Sequence, residues 1–244
     1  MLFEQEHSKP IKHTTVPTTL GSSVLGIKFK NGIVIAADKR LTQHGYKKFN
    51  DISRISQLSK NTIITCSGEY SDFQEITRML KEKADEDELF NGVDTFLGPE
   101  EFCNYLSFCC YNKRNKMDPY WNTTIVGGID SNNTPYLGAV DQYGTKFENS
   151  YLFSGFATYF APPIIEKYQK PTNETTRDEA VLLLEKVFEI LFYKDAMAGN
   201  FIYYGIMEVN NGEVSFNQYE RKVESKWEYT RFREHHNEKF HPTA

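Results

Sequence analysis

Asn31-Gly32 stands between two apolar runs, Val24-Leu25-Gly26-Ile27-Lys28-Phe29 and Ile33-Val34-Ile35-Ala36-Ala37, and nothing else in the chain constrains its fold as much. An Asn-Gly pair takes up the positive φ angles of a two-residue turn at little cost, so the runs on either side are set antiparallel. The spacing predicts a buried β-hairpin near the start of the chain. A second strand, Thr62-Ile63-Ile64-Thr65-Cys66-Ser67, runs through Gly68 into a helical pattern with Tyr70, Phe73, Ile76 and Leu80 on one face. The acidic stretch from Ala84 to Gly98 reads as a solvated loop or insertion. Pro99 suits the first turn of a second helix carrying Phe102, Leu106, Cys109 and Cys110.

Strands follow at Asn122 to Ile129, Tyr136 to Val140 and Lys146 to Phe153, divided by the turns Ser131-Asn132-Asn133 and Gln142-Tyr143-Gly144. A third helix containing Pro162 and Pro163 comes after Gly155. A fourth opens at Thr176, where Thr176 and Glu179 have capping-box spacing and Ala180, Leu183, Leu184, Val187 and Leu191 form the apolar stripe. Phe201 to Val209 and Val214 to Phe216 flank Asn210-Asn211-Gly212 as a closing hairpin. Strands grouped with strands and helices with helices give an α+β class: antiparallel sheets with helices in outer layers. The reading divides the chain into an extended leader over 1–21, a domain over 22–217 and a tail over 218–244.

Composition removes several functions. With 244 residues there is ample material for a core, so a small disulfide-stapled fold is excluded. Lys and Arg number 28 against 33 Asp and Glu, net charge -5, which lacks the cationic excess of a general nucleic-acid binder. No run approaches the roughly 20 apolar residues of a membrane span. The amino terminus carries acids and no apolar core of a signal peptide, which gives an expectation of cytoplasm and nucleus. Cys66, Cys103, Cys109 and Cys110 form no C-x-x-C pair and read as buried thiols. His235, His236 and His241 stand in a charged tail without the spacing of a tetrahedral set, so no metal and no cofactor is expected. The aromatic residues of that tail, Trp227, Tyr229, Phe232 and Phe240, make it a candidate docking arm.

The run from Ser22 to Arg40, ending Ala36-Ala37-Asp38-Lys39-Arg40, resembles the first strands of a proteasome β-type subunit. Ser67-Gly68, Thr123-Thr124-Ile125-Val126-Gly127-Gly128, Ser154-Gly155 and Tyr193-Lys194-Asp195-Ala196 extend the resemblance in the right order over about residues 14–217. It implies the N-terminal-nucleophile hydrolase sandwich, two antiparallel sheets between helical layers, within a core particle that carries out ubiquitin-dependent protein degradation. It also implies as partners neighbouring β-type subunits, an α-type ring and the opposite β ring.

In catalytic members the mature chain begins at Thr, whose hydroxyl attacks while its own α-amine takes the proton. That amine has a pKa of about 7.7–8.0, near operating pH. The resemblance puts Ser22 in the nucleophile's place, after Gly21, with Asp38, Asp195 and the Gly68 amide present as in active members. Arg54 replaces the expected Lys, and Phe156 and Ala198 replace two Ser. Arg keeps the charge but cannot become a neutral amine. Lys116-Met117-Asp118-Pro119-Tyr120-Trp121-Asn122 and Thr14-Thr15-Val16-Pro17 are most similar to a subtype whose leader is trimmed near Thr14, which would leave Ser22 internal. The expectation is a subunit without catalysis, with Ser22, Asp38, Arg54, Phe156, Asp195 and Ala198 as a degenerate site. The alternative is an active endopeptidase using Ser22.

Overall fold

The computed structural model describes residues 16–92, 97–168, 170–210 and 212–224. The first half contains β1 (Thr19–Gly21), β2 (Val24–Phe29), β3 (Gly32–Asp38), β4 (Leu41–Gln43), β5 (Tyr46–Phe49), β6 (Ile55–Ser59) and β7 (Thr62–Glu69). The helices α1 (Tyr70–Asn91) and α2 (Pro99–Asn115) come next, followed by β8 (Asn122–Ile129), β9 (Pro135–Val140), β10 (Lys146–Glu148) and β11 (Tyr151–Ser154). The described chain closes with α3 (Ala157–Tyr168), α4 (Arg177–Lys194), β12 (Phe201–Asn210) and β13 (Glu213–Lys222). One sheet runs β10-β9-β8-β7-β1-β4-β5, with β6 also on β7. The other runs β11-β2-β3-β12-β13. All described pairings are antiparallel.

The period of two along β3 explains the four layers. Ile33, Ile35 and Ala37 point into the space between the sheets, where they meet Ile63, Ile125 and Leu137. Val34 and Ala36 point the other way, onto Leu184, Val187 and Leu191 of α4 and Ala161 and Ile165 of α3. Both faces are covered, so β3 reads as a continuous apolar run and all of it is buried. Across the larger sheet, Ile64, Cys66 and Val126 face Phe73, Ile76 and Leu80 of α1 and Phe102 and Leu106 of α2. This is the αββα sandwich that the resemblance implies.

Several boundaries depart from the sequence reading. Thr19–Gly21, which the sequence reading leaves extended and without structure, is a strand of the larger sheet. The acidic stretch after Ala84 is helical as far as Asn91, since Glu and Asp facing water do not break a helix whose inner face is already anchored. The single strand expected from Lys146 to Phe153 is two: β10 pairs with β9 in one sheet and β11 with β2 in the other. A corner is needed where a chain changes sheet, and Asn149-Ser150 supplies it. The closing hairpin extends to Lys222, past the expected start of the tail.

Thr176 caps α4 as its spacing predicts: its hydroxyl accepts the Glu179 amide at 3.3 Å, and the Glu179 carboxylate accepts the Thr176 amide at 3.0 Å. The Lys170 ammonium, 2.6 Å away, and the Thr176 amide and hydroxyl, which both donate to it, hold the Glu179 carboxyl down at about 2, from an ordinary 4.5. A lowered folded-state value means a stabilisation present above the ordinary value and lost as pH falls through about 2. Carboxyl NMR titration of Glu179 should give a midpoint well below the ordinary range, raised by Lys170→Ala, and an ordinary midpoint would mean that the Lys170 pair does not hold in solution. Thr176→Ala should cost about 1 kcal/mol in urea unfolding.

Candidate active site

The strand β1 lies between β4 and the end of β7. Thr19, Leu20 and Gly21 pair with Gln43, Thr42 and Leu41 on one side, and Leu20 and Gly21 pair with Glu69 and Gly68 on the other. Ser22 follows at once, so its nitrogen is the peptide nitrogen shared with Gly21. Its hydroxyl donates to the Asp195 carboxylate, at the C-terminal end of α4. The other Asp195 oxygen accepts the Met197 amide at 2.8 Å. Ser22, Gly68, Gly155, Phe156, Asp195 and Met197 line a shallow cleft at this point.

Arg54 occupies the interior beside Ser22 and is 1% exposed. Its guanidinium donates to the carbonyls of Cys66 at 2.9 Å, Ser23 at 3.0 Å, Asp38 at 3.1 Å and Ser22 at 3.2 Å. It also forms a buried ion pair with the Asp38 carboxylate. Asp38 accepts the Gly199 amide at 2.7 Å as well. Burial pushes the Asp38 carboxyl above its ordinary range, against the pull of Arg54 and of that amide. The planar, five-donor head suits a site crowded with carbonyls. It also fixes the identity of residue 21: a Cβ on Gly21 would stand 2.5 Å from the Arg54 side chain.

Gly68 has φ +101°, and a Cβ there would lie 2.0 Å from the Trp121 carbonyl oxygen. Phe156 packs its ring edge-on against Tyr159 and tilted against Phe160, with centroids 5.8 and 5.3 Å away, where active members are expected to carry a hydroxyl. Ala198 is set back from the cleft: its amide donates to the Asp195 carbonyl at 3.1 Å and its carbonyl accepts from Arg40. The structure thus brings Ser22, Asp195, Gly68 and Phe156 to one cleft and places Asp38 and Arg54 beneath it.

Sequence reasoning missed four contributors. Ser23 accepts the Ala157 amide at 3.0 Å and so tethers the start of α3 to the site. Ser67 and Ser154, on different sheets, share a buried hydrogen bond of 2.6 Å. Glu69 binds the backbone ahead of Ser22 through its side chain. No local pattern signals any of these, because each partner is fifty or more residues away. The thiol nearest the site is no substitute nucleophile, since burial pushes Cys66 up to about 12. His235, His236, His241 and the aromatic residues of the tail lie outside the described residues.

A sandwich of this topology, with a hydroxyl at the β1–β2 junction above a buried acid–cation pair, is that of the N-terminal-nucleophile hydrolases. The family model described as proteasome subunit matches residues 18–207. The chain is 34% identical over 191 residues to proteasome subunit beta type-4 of Xenopus laevis, covering 78% of each chain. It is 34% identical over 232 residues to proteasome subunit beta type-4 of Arabidopsis thaliana, 95% of this chain and 90% of that one. It is 29% identical over 230 residues to proteasome subunit beta type-7 of Saccharomyces cerevisiae, 92% and 86% respectively. The chain belongs to the proteasome subunit family, among the β-type subunits of the 20S core.

Proposed function

We propose that this chain is a non-catalytic β-type subunit whose contribution is architectural, one wedge of the β ring of a cytoplasmic and nuclear core particle. The observation that carries this reading is the pairing of β1 with both β4 and β7, which builds the segment ahead of Ser22 into the larger sheet. A serine hydroxyl is activated by an adjacent base poised near neutrality, and while that segment stays attached the amine that would serve is an amide with no basic lone pair. The site's other groups support the same reading. Arg54 directs its donors to backbone carbonyls and Asp38, and Phe156 and Ala198 offer no hydroxyl to orient an amine or its water. Groups that act as a unit lose most of their rate when one is removed. The competing reading, an endopeptidase using Ser22, has the Ser22–Asp195 hydrogen bond in its favour, but a carboxylate that orients a hydroxyl does not replace the amine.

The surface favours assembly. Phe108, Tyr111 and Tyr143 are more than half exposed, and Arg114 lies 6.0 Å from both tyrosine rings, so Tyr111 and Tyr143 share one aromatic patch. Phe156 and Tyr159 form another. Patches of this kind are typical of buried interface centres. Their occupants in this reading are the neighbouring β-type subunits, the α-type ring and the opposite β ring.

A peptide α′,β′-epoxyketone tests the catalytic question, because it closes its ring only on a free α-amine and a hydroxyl of the same residue. The chain isolated from cells should begin ahead of Ser22, take no adduct and run in native mass spectrometry within a large complex. A chain that starts at Ser22 and carries the adduct would overturn the reading, as would a stable lone monomer with no complex.

A further inference from the structure

Glu69 stands at the N-cap of α1, where a side chain ordinarily turns inward to accept an amide of the first helical turn. It makes no such bond. Its carboxylate points instead at the segment ahead of Ser22: Oε2 accepts the Thr18 amide at 2.5 Å and the Thr19 amide at 3.0 Å, while Oε1 accepts the Ser71 hydroxyl at 3.2 Å. The residue is 7% exposed. Its backbone is fixed from behind, the amide donating to the Trp121 carbonyl at 3.0 Å and the carbonyl accepting from the Asn122 side chain at 2.8 Å. Thr18 is held on its other side too, since its carbonyl accepts the His44 amide at 3.1 Å. A three-residue strand is short for independent stability, and here it has a charged acceptor at its entry.

We propose that Glu69 is a latch: it fixes residues 18–21 in the slot between β4 and β7, so that the chain's own strand excludes any other extended peptide from that slot. Two sheet edges facing each other across one strand width would otherwise be a template for strand addition. Glu69 acts through β1, as a positioning residue. The inference rests on the segment ahead of Ser22 remaining part of the chain.

Hydrogen exchange on the full chain, read by mass spectrometry, tests the latch. Charge-assisted hydrogen bonds are the strong ones, so Glu69→Leu should speed exchange of the amides at residues 18–20 roughly 10–100-fold. Glu69→Gln, which keeps a neutral acceptor, should speed it less. The amides of Ile63 to Thr65, where β7 pairs with β8, should keep their protection in both variants. Unchanged exchange at 18–20 in Glu69→Leu overturns the latch, and so does an equal loss of protection across β7 and β8, which would mark Glu69 as a general fold residue. Thr18→Pro removes one donor while leaving Glu69 in place. If Glu69→Leu does not fold, a Thr18→Pro chain with unchanged exchange at Thr19 and Leu20 overturns the proposal. Intact mass in the same samples separates the two ideas. A chain lacking 16–21 sinks the retained-segment reading and the latch with it, whereas a chain that has them and exchanges them freely sinks the latch alone.

Discussion

Arg54→Met is expected to destabilise the chain by about 3–5 kcal/mol, the usual cost of leaving one partner of a buried ion pair behind. The guanidinium does more than neutralise Asp38: it is the donor for the carbonyls of Ser22, Ser23, Asp38 and Cys66, none of which a methionine can serve. The loss should depend on pH in a definite direction. Burial already raises the Asp38 carboxyl from its ordinary 3.8, and without Arg54 it must rise further. A folded-state value above the unfolded one means stability that is present below the unfolded value and lost as pH rises toward the folded one. Arg54→Met should therefore come closest to the parent in acid and fall furthest behind at neutrality, and Asp38→Asn added to it should recover part of the neutral loss. Urea midpoints at acid and neutral pH measure this. A pH-independent loss would mean that the carbonyls, not the carboxylate, dominate. Arg54→Lys should fall between, since one ammonium cannot span the same acceptors.

Gly68→Ala should cost about 2–6 kcal/mol, combining a left-handed backbone strain of about 1–3 kcal/mol with overpacking of about 1–3 kcal/mol. The overpacking arises because the Cβ would meet a backbone oxygen, Trp121 O at 2.0 Å, which also receives the Glu69 amide and so cannot give way without releasing the start of α1. Gly45 provides the control. Its φ is +82°, but a Cβ there meets nothing within 4 Å, so Gly45→Ala should show only the conformational cost of about 1–2 kcal/mol. Equal losses in the two variants would show that contact at Gly68 adds nothing to its φ.

Much of the fold was legible because its signals are local. Asn31-Gly32 between apolar runs gives the first hairpin, as seen in the β2–β3 register, and Thr176 with Glu179 gives the start of α4. The β4–β5 hairpin was not legible: Tyr46–Phe49 is exposed throughout, so it carries no apolar pattern. Nor was the break between β10 and β11, where two short strands with polar neighbours read as one, because a change of sheet leaves no mark in a period of two. At the site, the residue types at Ser22, Asp38, Arg54, Gly68, Phe156, Asp195 and Ala198 could be picked out through the resemblance to proteasome β-type subunits. What each touches could not.

The sequence alone determined which residues carry a hydroxyl, a charge or no side chain at the site, and where periodicity would make strands and helices, because those are properties of single residues and near neighbours. Only the tertiary structure decided that Arg54 turns into a ring of carbonyls, that Asp195 reaches Ser22 from 173 positions away, and that Glu69 faces back along β1 rather than into its own helix. Those outcomes follow from the order of strands within the larger sheet and the packing of sheets and helices on one another. That arrangement sets distant backbone groups within hydrogen-bonding distance and removes water as the competing partner, so each buried polar group must take whichever protein group the packing brings to it.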